Sequence, residues 1–249
     1  MSKNQPNNKK AIIITAIVAT LAVALIVTLF ICDSKDSNDT EFSYSTGTKM
    51  SETENAGDAA KENEQTLEQS AAAFDKSTVF TSLKDLEGLE FKTVNVTMTD
   101  GQSFSMNIYP EIAPKTAENF LSLVSEGFYD GLTFHRVIEG FMAQGGDPEG
   151  TGMGGSENTI PGEFESNGYY NPLSHQRGVV SMARSNDPNS ASSQFFICYD
   201  DASFLDGDYA SFGFVTEGME VVDTFLSDGT DASDKPLKDV RIASMTIVE

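Results

Sequence analysis

The sequence predicts a mainly β domain over residues 79–249, an antiparallel barrel or sandwich carrying two helices. Three observations carry the prediction. Apolar and polar residues alternate in several short runs, only two stretches repeat apolar residues at helical spacing, and polar Gly/Asn/Asp loops separate the runs. Many short strands with so few helices fit an antiparallel barrel or sandwich and not a doubly wound sheet.

Ahead of that domain the chain falls into three units. Residues 1–10 form a basic tail with Lys3, Lys9 and Lys10. Residues 11–31 carry no charge and are mostly Ala, Ile, Val and Leu, which is long enough for a helix to cross a bilayer at about 20 residues. Basic residues before this run and acidic ones after it keep the N-terminus cytoplasmic and export the rest. The expectation is a single-pass anchor in the cell membrane with the later domain extracytoplasmic. Two alternatives stand beside it. A cleaved signal sequence has a shorter apolar core. A lipoprotein would be anchored at Cys32, although Ile31 is bulky where a small residue is expected. Residues 32–78 read as an acidic, disordered linker. Residues 33–78 hold eleven Asp/Glu against four Lys, and few large apolar side chains to offset the entropy of ordering. A short helix over 62–74 is conceivable on spacing, but its apolar face is thin.

The elements of the domain follow in order. Residues 91–98 alternate as a strand, Thr99-Asp100-Gly101 makes a turn, and residues 104–109 alternate again, giving a hairpin. Pro114 opens a helix with Ala117, Phe120, Leu121 and Val124 along one face and Gly127 at its end. Apolar runs at 178–183, 195–199 and 212–215 are further strands. A second helix spans Met219 to Leu226, and a last strand runs from about Val240 to Val248.

Composition excludes several classes. A formal charge of −22 and a pI near 4.2 oppose nucleic-acid binding, which draws on Lys and Arg, so no nucleic-acid partner is expected. The excess acid reads mainly as a solvated surface. The two cysteines, Cys32 and Cys198, show no disulfide or metal spacing, and Cys198 lies in an apolar run as a small buried hydrophobe. No HExxH, GxSxG or His/carboxylate cluster appears, so neither a metal nor a cofactor is expected, and His135 and His175 read as structural. Residues 150–155 satisfy G-x-G-x-x-G, but Pro148 and Glu149 precede them and Pro161 follows, leaving no strand–helix frame for a dinucleotide. They read instead as a loop whose glycines let the backbone approach something closely.

Five ordered blocks remain: residues 113–120, 134–147 (FHRVIEGFMAQGGD), 178–183 (GVVSMA), 190–197 (SASSQFFI) and 204–207 (FLDG). Together they resemble the cyclophilin-type peptidyl-prolyl cis-trans isomerase family over roughly residues 90–249, here in a bacterial, membrane-anchored form. The resemblance implies a closed eight-stranded antiparallel β-barrel capped by two α-helices. It implies Arg136 as the catalytic arginine and Gln144 beside it as a polar group that orients the substrate backbone, with Gln194 in the same orienting role. Phe141, Met142, Phe196 and Leu205 become the proline pocket, with Ala183, Arg184 and Gly152 along the peptide groove. Two positions depart from many eukaryotic relatives: Phe204 stands in place of tryptophan, which argues against strong cyclosporin binding, and Tyr209 in place of histidine. The partners implied are proline-containing polypeptides, and nothing in the chain demands more than a monomer. The rival function is a non-catalytic chaperone or scaffold module that captures prolyl segments. An adhesin with an incidental barrel is a weaker third.

Overall fold

The structure, a computed structural model, describes residues 74–248. The expected anchor and signal alternatives, and all of the linker before residue 74, lie outside these residues. Among the described residues no helix is long and apolar enough to cross a membrane.

Eight strands form one antiparallel sheet: β1 Lys92–Met98, β2 Ser103–Ile108, β3 Arg136–Ile138, β4 Met142–Gly145, β5 Val179–Met182, β6 Phe195–Cys198, β7 Ser211–Glu217 and β8 Ile242–Val248. Among the described residues two α-helices accompany them, α1 Pro114–Ser125 and α2 Met219–Asp223, the latter continuing as a 3-10 turn over Thr224–Leu226. The spatial order is β3-β4-β6-β5-β7-β2-β1-β8. The closed barrel expected from sequence is corrected to an open half-barrel, because β3 and β8 stand at its two ends. The reason is the length of β3, three residues before the chain turns at Glu139-Gly140. Only the segment ahead of it reaches β8, through Gly131 N–H to Ile242 O at 3.0 Å and Ile242 N–H to Leu132 O at 2.9 Å.

The core lies inside the curve of the sheet, under α1. Phe120 of α1 meets Tyr129, Phe195 and Phe212 with ring centroids 5.1, 5.4 and 5.1 Å apart. The buried stripe of α1 is Thr116, Ala117, Phe120, Leu123 and Val124; Leu121 sits at its margin, one position off the expected face. Pro114 suits the first turn because it has no N–H to satisfy. The next two N–H groups would be orphans, since Ala113 at the cap offers no side-chain acceptor. Glu163, fully buried, reaches in from 47 residues away and accepts Lys115 N–H at 3.0 Å and Thr116 N–H at 2.8 Å.

This makes Glu163 the cap of α1 and the tie that holds the 160–171 loop against it. Glu163→Ala leaves two donors without acceptors and is expected to lower stability by about 2–3 kcal/mol, measured as a shift of the urea midpoint at unchanged slope.

Candidate active site

Antiparallel register builds the site. Arg136 of β3 pairs with Gln144 of β4, Gln144 with Phe196 of β6, and Phe196 with Ser181 of β5, so one row of side chains crosses four strands on one face. The adjacent row, Val137, Ala143, Ile197 and Val180, turns the other way and is buried in the core. β6 thus sends Phe195 into the core and Phe196 outward. Arg136, Gln144 and Phe196 of the outward row help to wall a cavity of about 280 Å³, and Ser181 is buried behind Phe196.

Nine of the residues singled out from sequence line that cavity: Arg136, Phe141, Met142, Gln144, Ala183, Arg184, Phe196, Leu205 and Tyr209. Its wall is apolar where Phe141, Met142, Phe196 and Leu205 meet, and Tyr209 stands edge-on to Phe196 with centroids 6.0 Å apart. Gln194 and Gly152 lie instead in an adjoining polar cavity of about 430 Å³ that shares Gln144, Ala183 and Arg184 with the first. Phe204 lines neither. It is 71% exposed at the rim, its ring 5.5 Å from that of Phe141.

The polar side chains are fixed in position. Gln144 Nε2 donates to Gln194 Oε1 at 2.8 Å, and Gln194 Nε2 donates to Gly154 O at 2.7 Å and Gly152 O at 3.1 Å. The two glutamines therefore chain β4 to the glycine-rich loop. Arg184 stands over the rings of Phe164 and Tyr209, its guanidinium carbon 5.0 and 4.7 Å from their centroids, and donates from Nε to Asp208 O at 2.9 Å. Its side chain is thereby fixed at the junction of the two cavities. Arg136 is half-exposed and donates from Nε to Asp234 Oδ2 at 3.4 Å.

The glycine-rich loop encloses an anion, and the anion is its own. The Asp147 carboxylate accepts N–H from Glu149, Thr151 and Gly152 at 2.8, 2.9 and 2.6 Å. A Cβ at Gly154 would collide with that carboxylate, which is the close approach the glycines permit. Burial works to raise the pKa of Asp147, and the backbone donors outweigh it and hold the group below its ordinary value.

Sequence reasoning missed the layer behind the cavity. His175 stacks on Phe196 with centroids 6.0 Å apart and planes 15° from parallel. Its Nδ1 lies 2.7 Å from Asp206 Oδ1, its Nε2 lies 2.9 Å from Ser181 Oγ, and its backbone N–H reaches the same carboxylate at 2.8 Å. Ser174 Oγ adds a third tie to Asp206 at 2.6 Å. Ser, His and Asp in this order suggest a nucleophilic triad, but Ser181 and His175 are 0% and 1% exposed, so no substrate reaches the hydroxyl. The network instead braces Phe196 and the Ser203–Leu205 turn. Asp206 and Ser181 fall in the blocks 204–207 and 178–183 and His175 reads as structural, but nothing in the sequence joins the three. Cys198 is equally enclosed, and burial pushes its thiol up to about 12, which removes it as a nucleophile near neutral pH.

A cavity with an apolar wall, edged by Arg136 and Arg184 and with a hydrogen-bonded polar groove alongside, defines a β-sheet protein shaped to take an apolar ring together with flanking peptide. Comparison with known proteins identifies the family. A family model described as cyclophilin type peptidyl-prolyl cis-trans isomerase/CLD matches residues 93–247. Peptidyl-prolyl cis-trans isomerase CYP18-1 of Arabidopsis thaliana is 46% identical over 141 residues, 56% of this chain and 86% of that protein. Peptidyl-prolyl cis-trans isomerase B of Bacillus subtilis is 47% identical over 129 residues, 52% of this chain and 87% of that one. A crystal structure of a Cryptosporidium parvum cyclophilin type peptidyl-prolyl cis-trans isomerase superposes with a TM-score of 0.59 at 34% identity, covering 64% of this chain and 99% of that one. The same protein has been solved in the presence of the dipeptide Ala-Pro. This chain belongs to the cyclophilin-type peptidyl-prolyl cis-trans isomerase family, and it is an enzyme of that type.

The brace has a pH signature. Burial favours a higher pKa for Asp206, but hydrogen bonds from His175, Ser174 and the His175 backbone outweigh it and hold the carboxyl below its ordinary 3.8. A depressed acid stabilises the fold above its unfolded pKa and loses that contribution as pH falls through its folded pKa. Asp206→Asn is therefore expected to lower the thermal midpoint at pH 7, with the deficit against the parent shrinking below about pH 4. A deficit that stays constant across the acid range would exclude this role for the charge.

Proposed function

We propose that this chain is a membrane-anchored bacterial isomerase that turns Xaa-Pro bonds in exported polypeptides on the extracytoplasmic side, assisting their folding as a monomer. The observation that carries the catalytic part is the place of Arg136, at the edge of an apolar cavity walled by Phe141, Met142, Phe196 and Leu205.

Amide resonance holds an Xaa-Pro bond planar, and unaided rotation takes tens of seconds or more. No covalent step is required. The enzyme needs only to bind the twisted amide better than either planar isomer. As the bond twists, the prolyl nitrogen regains a lone pair that it lacks when planar. Arg136 donates to that lone pair, and a guanidinium keeps its charge throughout. The cavity grips the rigid proline ring while the preceding carbonyl swings, and exclusion of water strengthens the arginine's contribution. Gln144 and Gln194, already tied to each other and to Gly152 and Gly154, offer their remaining polar atoms to the substrate backbone. Ala183 and Arg184 border both cavities, so an extended peptide with its proline in the apolar one runs past them toward Gly152. Phe204 and Tyr209 add aromatic surface to the rim and the wall.

The location rests on residues 11–31, an uncharged run of 21 residues between a lysine-bearing tail and an acidic segment. An acidic linker repels itself and stays extended, which gives a tethered domain reach toward its clients.

Two measurements test the reading. In a prolyl-peptide relaxation assay on the full-length chain, Arg136→Ala is expected to lose about a hundredfold or more in kcat/KM, roughly 2.7 kcal/mol of transition-state binding, while affinity for the peptide changes far less. Parent and variant relaxing the peptide equally slowly would leave only a binding module. The mass of the mature protein tests the anchor: an intact Met1 supports it, a lipidated N-terminal Cys32 supports a lipoprotein, and an unmodified shortened chain supports a cleaved signal.

A further inference from the structure

The geometry points to Asp234 as a positioning residue for Arg136, holding one edge of the guanidinium so that the other faces the cavity. The inference rests on the catalytic reading of Arg136 given above. Asp234 comes from the loop between α2 and β8, 98 residues along the chain, and no sequence block drew attention to it. Three observations converge on it.

The first is the contact. Arg136 Nε donates to Asp234 Oδ2 at 3.4 Å, and among the described residues its side chain makes no other hydrogen bond. The Nη groups are left to the cavity that Arg136 lines. The second is conformation. Asp234 has φ +62°, the one non-glycine residue at positive φ among those described. Asp tolerates this left-handed region better than most residues but still carries strain there, and such strain gathers at functional sites. The third is the loop's construction. Asp231 Oδ1 accepts N–H from Ser233 and Lys235 at 2.8 and 3.0 Å, and Asp231 N–H returns to Lys235 O at 2.8 Å. This closed turn presents Asp234, whose carbonyl accepts Val137 N–H at 2.8 Å. The loop is thus fastened to the residue directly after Arg136, and the carboxylate meets the arginine from a fixed base.

Stability does not account for the arrangement. The side chains are 44% and 43% exposed, and ion pairs that exposed contribute little to folding. An arginine side chain has many rotamers, and fixing it before substrate arrives spares the ordering cost at the moment the prolyl nitrogen needs a donor. A single long contact through Nε restrains the side chain and leaves its Nη donors unspent.

Two substitutions separate positioning from folding. Asp234→Gly removes the carboxylate and relieves the positive φ. Asp234→Asn keeps the tolerance for that φ and one acceptor oxygen but removes the charge. In the full-length chain, Asp234→Gly is expected to lower kcat about five- to tenfold with KM unchanged and the thermal midpoint within about 3 °C of the parent. Asp234→Asn should fall between them. The Nε–H resonance of Arg136, assigned by its loss in Arg136→Ala, should lose its distinct shift in Asp234→Gly. Adding Asp234→Gly to Arg136→Ala should cost nothing further. Full kcat in Asp234→Gly, or a loss that merely follows the folded fraction, overturns the inference. If Arg136→Ala itself retains activity, the catalytic reading of the arginine fails first, and the positioning role falls with it.

Discussion

The register of β4 on β6 sets everything that follows. Pairing Gln144 with Phe196 and Ala143 with Ile197 decides which residues face the core and which face the groove. A slip of one residue would exchange the two sets. Phe195 would leave its ring partners Phe120, Tyr129 and Phe134, and Phe196 would leave His175 and Tyr209. Core and cavity are thus specified together by one pairing, and consecutive phenylalanines do opposite work. Strands thus supply Arg136, Met142, Gln144 and Phe196 to the cavity, and the turns and loops at their ends add Phe141, Ala183, Arg184, Leu205 and Tyr209.

Legibility in the sequence followed the same division. The long strands β1 and β2 showed as alternation because every second side chain is buried in the core. Helix α1 showed through Pro114 and its apolar stripe. β3 and β4 did not show as strands. They have three and four residues, Glu139-Gly140 interrupts them, and β4 is buried on both faces at most positions, so alternation has no room to appear. They were found only through the family block that contains them. The barrel's openness was equally hidden, since it depends on where β3 stops.

For the site, the residues that touch the cavity were legible as a block pattern, and the contacts among those behind it were not. His175, Ser181 and Asp206 are separated in sequence, and each type has bland uses elsewhere. Asp234 lies in a polar loop, one acid among several, and only its backbone conformation and its neighbour mark it. Contacts between distant polar residues leave no periodic trace, so reading them requires coordinates.

The acidic composition also acquires a second meaning. A charge of −22 reads as a solvated surface, yet carboxylates hold nearly every loop around the groove. Asp147 gathers the N–H groups of the glycine-rich loop, Glu163 caps α1 from the 160–171 segment, Asp206 ties the Ser203–Leu205 turn to His175, and Asp231 folds the loop that carries Asp234. Asp147 and Glu163 are buried without forming an ion pair with Lys or Arg. Their partners are backbone N–H groups, which supply partial positive charge without side-chain entropy to lose. A loop fixed this way needs no regular secondary structure to hold its shape. Rigidity in these loops is met in the backbone, whereas Arg136 at the cavity edge is held by one contact through Nε to Asp234.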